Sequence, residues 1–426
     1  MLERFCGGWS GIIVWATMCC ALCTTMARAQ VGGTAEKVSP PATKWLDSWG
    51  VSFLPTEVNG TVQAVPTFNN QTLRLVVFNK LGGSQVRVKF TNKFEKTPLK
   101  IGAAHVALRD SGGAIKPDTD RALTFKGEKI VTVPPGEEIW SDGVMLDVPQ
   151  HADLAISVYL PESVKPTSFH PTGLKTSYLS AAGDFCAAAK MDPPAGGGRR
   201  GPGGGATTDM VFFFSGVQVM APASTRVIVA FGDSITDGSA SSVDANASWP
   251  DVLSKRLPKL PDGTPVSVIN MGIGSNRFMS ADAAGPAGVK RFADDVLSRA
   301  NVTHLILLEG INDISYEHVK PEDLIAAYKA TIEKAHAKGI KVIGCTLLPI
   351  QNSRKDTPEN IATQQTVNKW IRESKAYDAV VDFEKVVQDP SNPLRIRREL
   401  TGDYVHPNSA GYKLMAEAID LKLFEN

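Results

Sequence analysis

Two patterns of hydrophobic and polar positions divide the chain near residue 222. From about residue 40 to 221 the apolar positions come in short runs. Leu73–Phe78, Gln85–Phe90, Leu99–Leu108, Lys129–Val133 and Asp153–Tyr159 alternate with polar residues or nearly so. A period of two turns one face of a strand to a core and the other to water. Glycine and proline clusters such as Leu81-Gly-Gly-Ser84 and Pro134-Pro-Gly136 break the runs at hairpin spacing. Met210–Met220 reads as a further strand. Many short strands of this kind predict an all-β sandwich or jelly roll.

From Arg226 the pattern changes to continuous apolar runs separated by helix-like stretches. Strands are predicted at Arg226–Phe231, Val266–Asn270, His304–Glu309, Ile340–Thr346 and Ala379–Asp382. Helices are predicted at Asp251–Leu257, Gly288–Ala300, Pro321–Lys338, Pro358–Ser374 and Ala410–Leu423. Pro321, Pro358 and Asn408-Ser409 are good helix openings, and Gly339 is a good stop. Buried strands alternating with helices predict an α/β domain with a doubly wound parallel sheet over 226–426, preceded by the all-β domain over 30–221.

Two segments fall outside this scheme. Arg4, the apolar stretch Gly11–Cys23 and Ala27-Arg28-Ala29 form the three regions of a signal peptide, so residues 1–29 are expected to be removed and the chain exported, to the periplasm or beyond. No later stretch is long and apolar enough for a membrane-spanning helix. The stretch 193–206, rich in glycine and proline, cannot bury apolar surface and reads as a loop within the all-β domain.

Composition narrows the partners. The 426 residues are 43% hydrophobic and 21% charged, an ordinary globular balance. Residues 1–29 carry Arg4, Arg28 and Glu3, so the formal charge of +1 falls to zero without them. A neutral chain offers no electrostatic case for nucleic acid or anionic lipid as partner. Only Cys186 and Cys345 remain beyond the signal segment, which rules out a disulfide scaffold. Cys345 falls in a buried strand and reads as a core thiol. No His, Cys or Asp spacing suggests a metal site, and no cofactor is called for.

The chemistry begins at the end of the first parallel strand, in Phe231-Gly-Asp-Ser-Ile-Thr-Asp-Gly238. Open α/β sheets place their ligand crevice at the carboxyl ends of strands. Ser234 there reads either as a nucleophile or as the cap of a helix. Near the other end lies Thr401-Gly-Asp-Tyr-Val-His-Pro-Asn408. Asp403 and His406 are three apart, so one turn can set carboxylate and imidazole side by side. Pro407 keeps His406 out of the following helix. A serine nucleophile needs an adjacent base, and the base needs an orienting carboxylate. Two more loops follow predicted strands: Asn270-Met-Gly-Ile-Gly-Ser-Asn-Arg277 and Glu309-Gly-Ile-Asn-Asp313. Their backbone N–H groups and the Asn312 amide, with the Ser234 N–H, could surround a developing oxyanion.

These blocks resemble the SGNH hydrolases, the GDSL esterase/lipase family, over about residues 226 to 423. Gly232-Asp-Ser-Ile-Thr236 is similar to the family's first block, Gly310-Ile-Asn-Asp313 to its Gly-x-Asn-Asp block, and Asp403-Tyr-Val-His406 to its Asp-x-x-His block. The resemblance implies a flavodoxin-like fold and an ester hydrolase working through Ser234, His406 and Asp403. It implies an oxyanion hole made by the N–H of Ser234, the N–H of Gly274 or Ser275, and the side chain of Asn312. The all-β domain resembles the accessory domain of some bacterial members. One block departs: Gly274-Ser275 stands where the family often has two glycines. Serine can supply the N–H at negative φ, and a positive φ would cost on the order of 1 kcal/mol.

Export and an appended sandwich suit an acylated polysaccharide as substrate. A small ester is the other choice, including short-chain, aryl or lipid esters. The rival from another class is a carbohydrate-binding protein whose α/β domain is catalytically silent. Trp45, Trp49 and Trp140 read as packing residues more readily than as a sugar platform. Asp237 and Trp249 read equally as pocket lining or as structure, and Glu309 as a brace for the Asn312 loop. His105, His151 and His170 read as packed or surface residues, and His304, His318 and His336 receive no role.

Overall fold

The computed structural model describes residues 42–58, 61–191, 207–281 and 285–425. The expected signal peptide and the 193–206 loop lie outside the described residues.

The all-β part is built on β1 (Thr43–Gly50), β2 (Gln71–Phe78), β3 (Gly83–Thr91), β4 (Ala103–Leu108), β5 (Asp153–Leu160), β6 (Ser177–Ala182) and β7 (Phe214–Pro222). One antiparallel sheet runs β1-β7-β3, with Glu138–Trp140 and Val144–Val148 added on β3. The other runs β6-β2-β5-β4, with Thr207–Thr208 and Arg121–Ala122 at its ends. Val86, Val88, Phe90, Val217 and Val219 of the first sheet share one core with Leu73, Leu75, Val77, Leu154, Ile156 and Val158 of the second. These are the alternate positions of the sequence, which makes the pair of sheets a sandwich.

Two details depart from the simple alternation. Leu99–Leu108 is not one strand. Gly102 breaks it, because a Cβ there would sit 2.7 Å from the Tyr159 ring. Leu99–Ile101 then pairs with Val131–Val133 while β4 pairs with β5. On the outer face of β2, Arg74 is fully buried. Its guanidinium donates to the carbonyls of Gly113, Cys186 and Ala188 at 2.7, 3.1 and 2.8 Å and to Ser157 Oγ at 2.8 Å. It ties the surrounding loops down by satisfying carbonyls that water cannot reach.

The α/β part follows after three residues. Its parallel strands are β8 (Arg226–Gly232), β9 (Val266–Gly272), β10 (Val302–Leu308), β11 (Lys341–Cys345) and β12 (Ala379–Val381), in spatial order β9-β8-β10-β11-β12. This is the order of flavodoxin-like folds, with the switch point beside the first strand. The main helices are α1 (Trp249–Arg256), α2 (Pro321–His336), α3 (Pro358–Glu373) and α4 (Ser409–Glu417). The stretch predicted as a helix over Gly288–Ala300 is α-helical only to Phe292 and widens into a π-turn over Ala293–Leu297. The predicted last helix stops at Glu417, and Leu421–Phe424 is a separate 3-10 turn capped by Asp420.

The described residues form one compact unit. β1 lies against β9, the end strand of the parallel sheet. Ser267 Oγ donates to the Asp47 carbonyl at 2.7 Å, and Arg299 pairs with the Asp47 carboxylate at 3.0 Å. Ser52 Oγ donates to Asp295 at 2.7 Å, and Lys80 pairs with Asp251 at 3.0 Å. Among the described residues no helix is long and apolar enough to cross a membrane.

Candidate active site

β8 delivers its last residue into a turn that only glycine can make. A Cβ on Gly232 would lie 2.1 Å from Thr236 Oγ1 and 2.3 Å from the Leu308 carbonyl. Asp233 then caps the short helix Ser234–Asp237 by accepting from the Ile235 N–H at 2.9 Å. Asp233 is therefore the cap, and the Ser234 hydroxyl has another partner. Its Oγ lies 2.9 Å from His406 Nε2. Burial pushes the Asp233 carboxyl up to about 6, against the hydrogen bond from Ile235 and the charge of Lys355.

His406 is aimed by its own loop. Thr401 Oγ1 accepts from the Tyr404 N–H at 2.9 Å and donates to the His406 carbonyl at 2.8 Å, while Tyr404 takes a left-handed φ of 57°. Asp403 Oδ1 accepts from the N–H groups of Val405 and His406 at 2.9 and 2.8 Å, and its Oδ2 lies 2.8 Å from His406 Nδ1. Burial pushes the Asp403 carboxyl up, but the bonds from His406 and Val405 outweigh it and hold the group down at about 2. An ionised Asp403 makes Nδ1 the protonated nitrogen and leaves Nε2 as the acceptor facing Ser234.

Ser234, His406, Gly274 and Ser275 line one cleft of about 370 Å³. The loop after β9 closes on itself, with Ile273 N–H donating to the Gly232 carbonyl at 3.1 Å and Asn276 N–H to the Ile273 carbonyl at 3.1 Å. Ser275 sits at its tip with a φ of 61°. The condition of a negative φ is thus not met, and the serine occupies the left-handed region that glycine favours. Asn312 does not line the cleft. It is buried behind it, with Nδ2 donating to the Asn276 carbonyl at 2.9 Å and a long 3.4 Å contact to Asp233. The neighbouring Asp313 carboxylate accepts from the N–H groups of Phe278 and Met279 at 2.7 and 2.8 Å and so fixes the loop after β9.

Beneath the site a buried arginine joins the strand ends. Arg291 donates to the carbonyls of Gly232 and Met271 at 2.9 and 2.8 Å and to Asn276 Oδ1 at 2.8 Å. Its guanidinium stacks 3.9 Å from the centre of the Phe231 ring. Glu309 lies 3.7 Å from Arg291, and burial together with the Asp233 charge pushes its carboxyl well up. It is part of the floor under the Asn312 loop.

Other residues singled out in the sequence resolve individually. Trp249 is fully buried against Phe383, a structural role. Trp45 and Trp140 sandwich the Arg87 guanidinium at 4.7 and 4.6 Å, so their facing ring surfaces are occupied, and Trp49 packs on Phe214. His105 pairs with Asp120 at 2.9 Å, and His151 bonds Ser254 at 3.0 Å. His170 is packed as well. Fully buried, it pairs with Asp237 at 3.1 Å, so Asp237 is tied to the sandwich three residues after Ser234. Lys355, also unmarked in the sequence, bonds Asn312. No local signal identifies either, because each partner lies dozens of residues away. Among the described residues no group of three His, Cys, Asp or Glu side chains is placed to hold a metal ion.

Residues 230–414 match the GDSL-like lipase/acylhydrolase family. That match makes the α/β part a GDSL-like lipase/acylhydrolase domain, which supports an ester hydrolase. The similar solved structures named next each cover a little under half of this chain. A lipolytic protein of the G-D-S-L family from Veillonella parvula is 22% identical, over 47% of this chain and all of the other, with a TM-score of 0.36. The native aryl esterase of M. smegmatis is 14% identical, over 47% and 99% of the two chains, with a TM-score of 0.39. A carbohydrate acetylesterase from Sinorhizobium meliloti is 16% identical, over 47% and 99%, with a TM-score of 0.37. No curated protein matches.

Proposed function

We propose that the chain is an exported serine esterase that removes short acyl groups, acetyl foremost, from a carbohydrate. The observation that carries the chemistry is the unbroken line of bonds from Ser234 Oγ through the His406 ring to Asp403, at 2.9 and 2.8 Å. His406 Nε2 takes the hydroxyl proton as Ser234 Oγ bonds to the ester carbonyl carbon. Asp403 holds the ring and stabilises its cation. The oxyanion meets the N–H of Ser234 and the N–H of Gly274 or Ser275, and the Asn312 amide joins them only by leaving its contacts to Asn276 and Asp233. His406 returns its proton to the departing alcohol, and the carbon–oxygen bond breaks. Water then repeats the sequence on the acyl-enzyme.

The substrate reading rests on the cleft and on the sequence. A cleft of about 370 Å³ suits a short acyl group. The signal segment at residues 1–29 and the appended sandwich favour an extracellular or periplasmic polymer.

The test is intact mass after treatment with a fluorophosphonate, on the wild type and on Ser234→Ala. One adduct on the first and none on the second is expected. Ser234→Ala and His406→Ala lose at least about 10⁴-fold in kcat on acetylated xylan and on p-nitrophenyl acetate, and Asp403→Asn keeps a measurable remainder. Absence of an adduct on folded wild type overturns the proposal in favour of a glycan-binding protein.

A further inference from the structure

The cleft beside Ser234 is not made by the α/β part alone. Half of its lining comes from the sandwich: Leu54, Gln63, Phe169, Pro171 and Thr172. Leu54–Pro55 and Ser168–Phe169 pair as a two-stranded ribbon, Phe169 opposite Leu54. Behind the ribbon, the Glu95 carboxylate accepts from the N–H and hydroxyl groups of both Thr167 and Ser168 at 2.6 to 2.9 Å. Phe169 stacks on Phe212 in the sandwich core, at 6.2 Å between ring centres. The ribbon is therefore a built element and not a loop draped over the site.

One residue in this strap fastens it to the nucleophile's helix. Between Phe169 and Pro171, His170 turns away from the cleft. Its Nδ1 lies 2.9 Å from the Ser52 carbonyl, and its Nε2 lies 3.2 Å from the Thr172 carbonyl and 3.1 Å from Asp237 Oδ1. Every partner is an acceptor, so both ring nitrogens carry protons and the pair is imidazolium against carboxylate. Neither side chain is more than 5% exposed. Asp237 closes the four-residue helix that Ser234 opens. The side chains flanking His170 are thereby held at a fixed position relative to the Ser234 hydroxyl.

We infer that the sandwich supplies the specificity wall of this esterase, with Leu54, Phe169 and Pro171 bounding the acyl group and His170 on Asp237 as the positioning contact. The inference rests on the reading of Ser234 as nucleophile. The acyl side follows from the geometry of departure. The alcohol leaves toward His406, whose partner Asp403 is 52% exposed, so that side opens to solvent and the walled side takes the acyl chain. The substrate class is an ester of a two- to four-carbon acid on a bulky, solvent-facing alcohol.

The experiment measures kcat/KM on p-nitrophenyl acetate, butanoate and octanoate, and on acetates of three alcohols of increasing size. The chains are wild type, Phe169→Ala, Pro171→Ala, and His170→Gln combined with Asp237→Asn, which keeps the pair uncharged and hydrogen-bonded. Phe169→Ala is expected to raise octanoate relative to acetate by about 10-fold or more, the scale that a few methylenes command in an apolar pocket. Pro171 lies outside the core, and its variant is expected to shift the ratio in the same direction without loss of folding. The double variant is expected to change the acyl ratio although neither residue lines the cleft. An unchanged acyl ratio in all three, or a shift confined to the alcohol series, overturns the inference. Fluorophosphonate labelling of each chain separates the two levels. Labelled variants with unmoved ratios refute the wall alone, and an unlabelled wild type refutes the nucleophile.

Discussion

The Lys355 ammonium donates to the side-chain carbonyl of Asn312 at 2.6 Å, and neither residue is more than 3% exposed. An ammonium has only donors, so it fixes which end of the amide is which. Nδ2 must face Asn276 and Asp233, the residue just before Ser234. Without Lys355 the buried carbonyl loses its partner and the amide can turn over. Lys355→Met is expected to lower kcat by about 10- to 100-fold, somewhat less than outright loss of an oxyanion donor, with KM within about threefold. Steady-state kinetics on p-nitrophenyl acetate decide it. An unchanged kcat means Asn312 is held without the lysine.

Ser275 offers a second test. Its left-handed φ costs an L-residue on the order of 1 kcal/mol, yet glycine there loses about 0.4–1 kcal/mol through the freer unfolded chain. Ser275→Gly is therefore expected to leave Tm within about 1 °C and to keep full activity. Ser275→Val puts a β-branched residue where it fits worst and is expected to cost about 1–2 kcal/mol with reduced activity. Thermal melts and initial rates on the two variants check both statements. A large loss in the glycine variant would give the serine hydroxyl a role of its own.

Acid stability has a traceable source in His304, which is 1% exposed and packs on Phe424. Burial, with the charges of Lys341 and Arg226, pushes its imidazole down to about 4. Above pH 6.5 the ring is neutral in both folded and unfolded chains, and its contribution is complete. Between 6.5 and 4 the unfolded chain takes up a proton that the fold refuses, so stability falls as pH falls, by on the order of 3 kcal/mol in all. His304→Gln is expected to lose less Tm than wild type between pH 7.5 and 4.5. Equal losses would place the acid sensitivity elsewhere.

Cys186 and Cys345 are expected to be inert in the native protein. Cys186 and Cys345 are 1% and 2% exposed, and burial pushes both thiols up, Cys186 with the Asp184 charge adding to it. Only the thiolate reacts readily with alkylating reagents. Peptide mapping after iodoacetamide should find neither modified in the folded state and both modified in guanidinium. Native labelling of either would mean that its surroundings open.

Much of this was legible in the chain, for reasons that differ along it. The runs at Arg226–Phe231 and Val266–Asn270 are buried on both faces, and such strands read plainly. Asp403 and His406 are close in sequence, so one turn sets their geometry. Ser234 and Asn312 were visible because each follows a strand that the apolar pattern had already placed. The hidden features are long-range or conformational. Asp237 meets a histidine 67 residues earlier, and Asn312 a lysine 43 residues later. Nothing local marks such pairs. The φ of Ser275 depends on how tightly the loop must close, and the break at Gly102 depends on Tyr159, which comes from another strand.

The seam between β1 and β9 carries a consequence for how such a protein can change over generations. An end strand of a parallel sheet is sticky unless something covers it. Here the cover is the first strand of the sandwich, and only three residues join Pro222 to Arg226. Shuffling, duplication and loss of domains work best on parts joined by slack tethers. This chain has none at that junction, so a lineage that discarded the sandwich would have to reinvent the margin of its sheet at the same time. Where the two halves stay joined, they are expected to diverge at the rim loops and to stay matched along the seam.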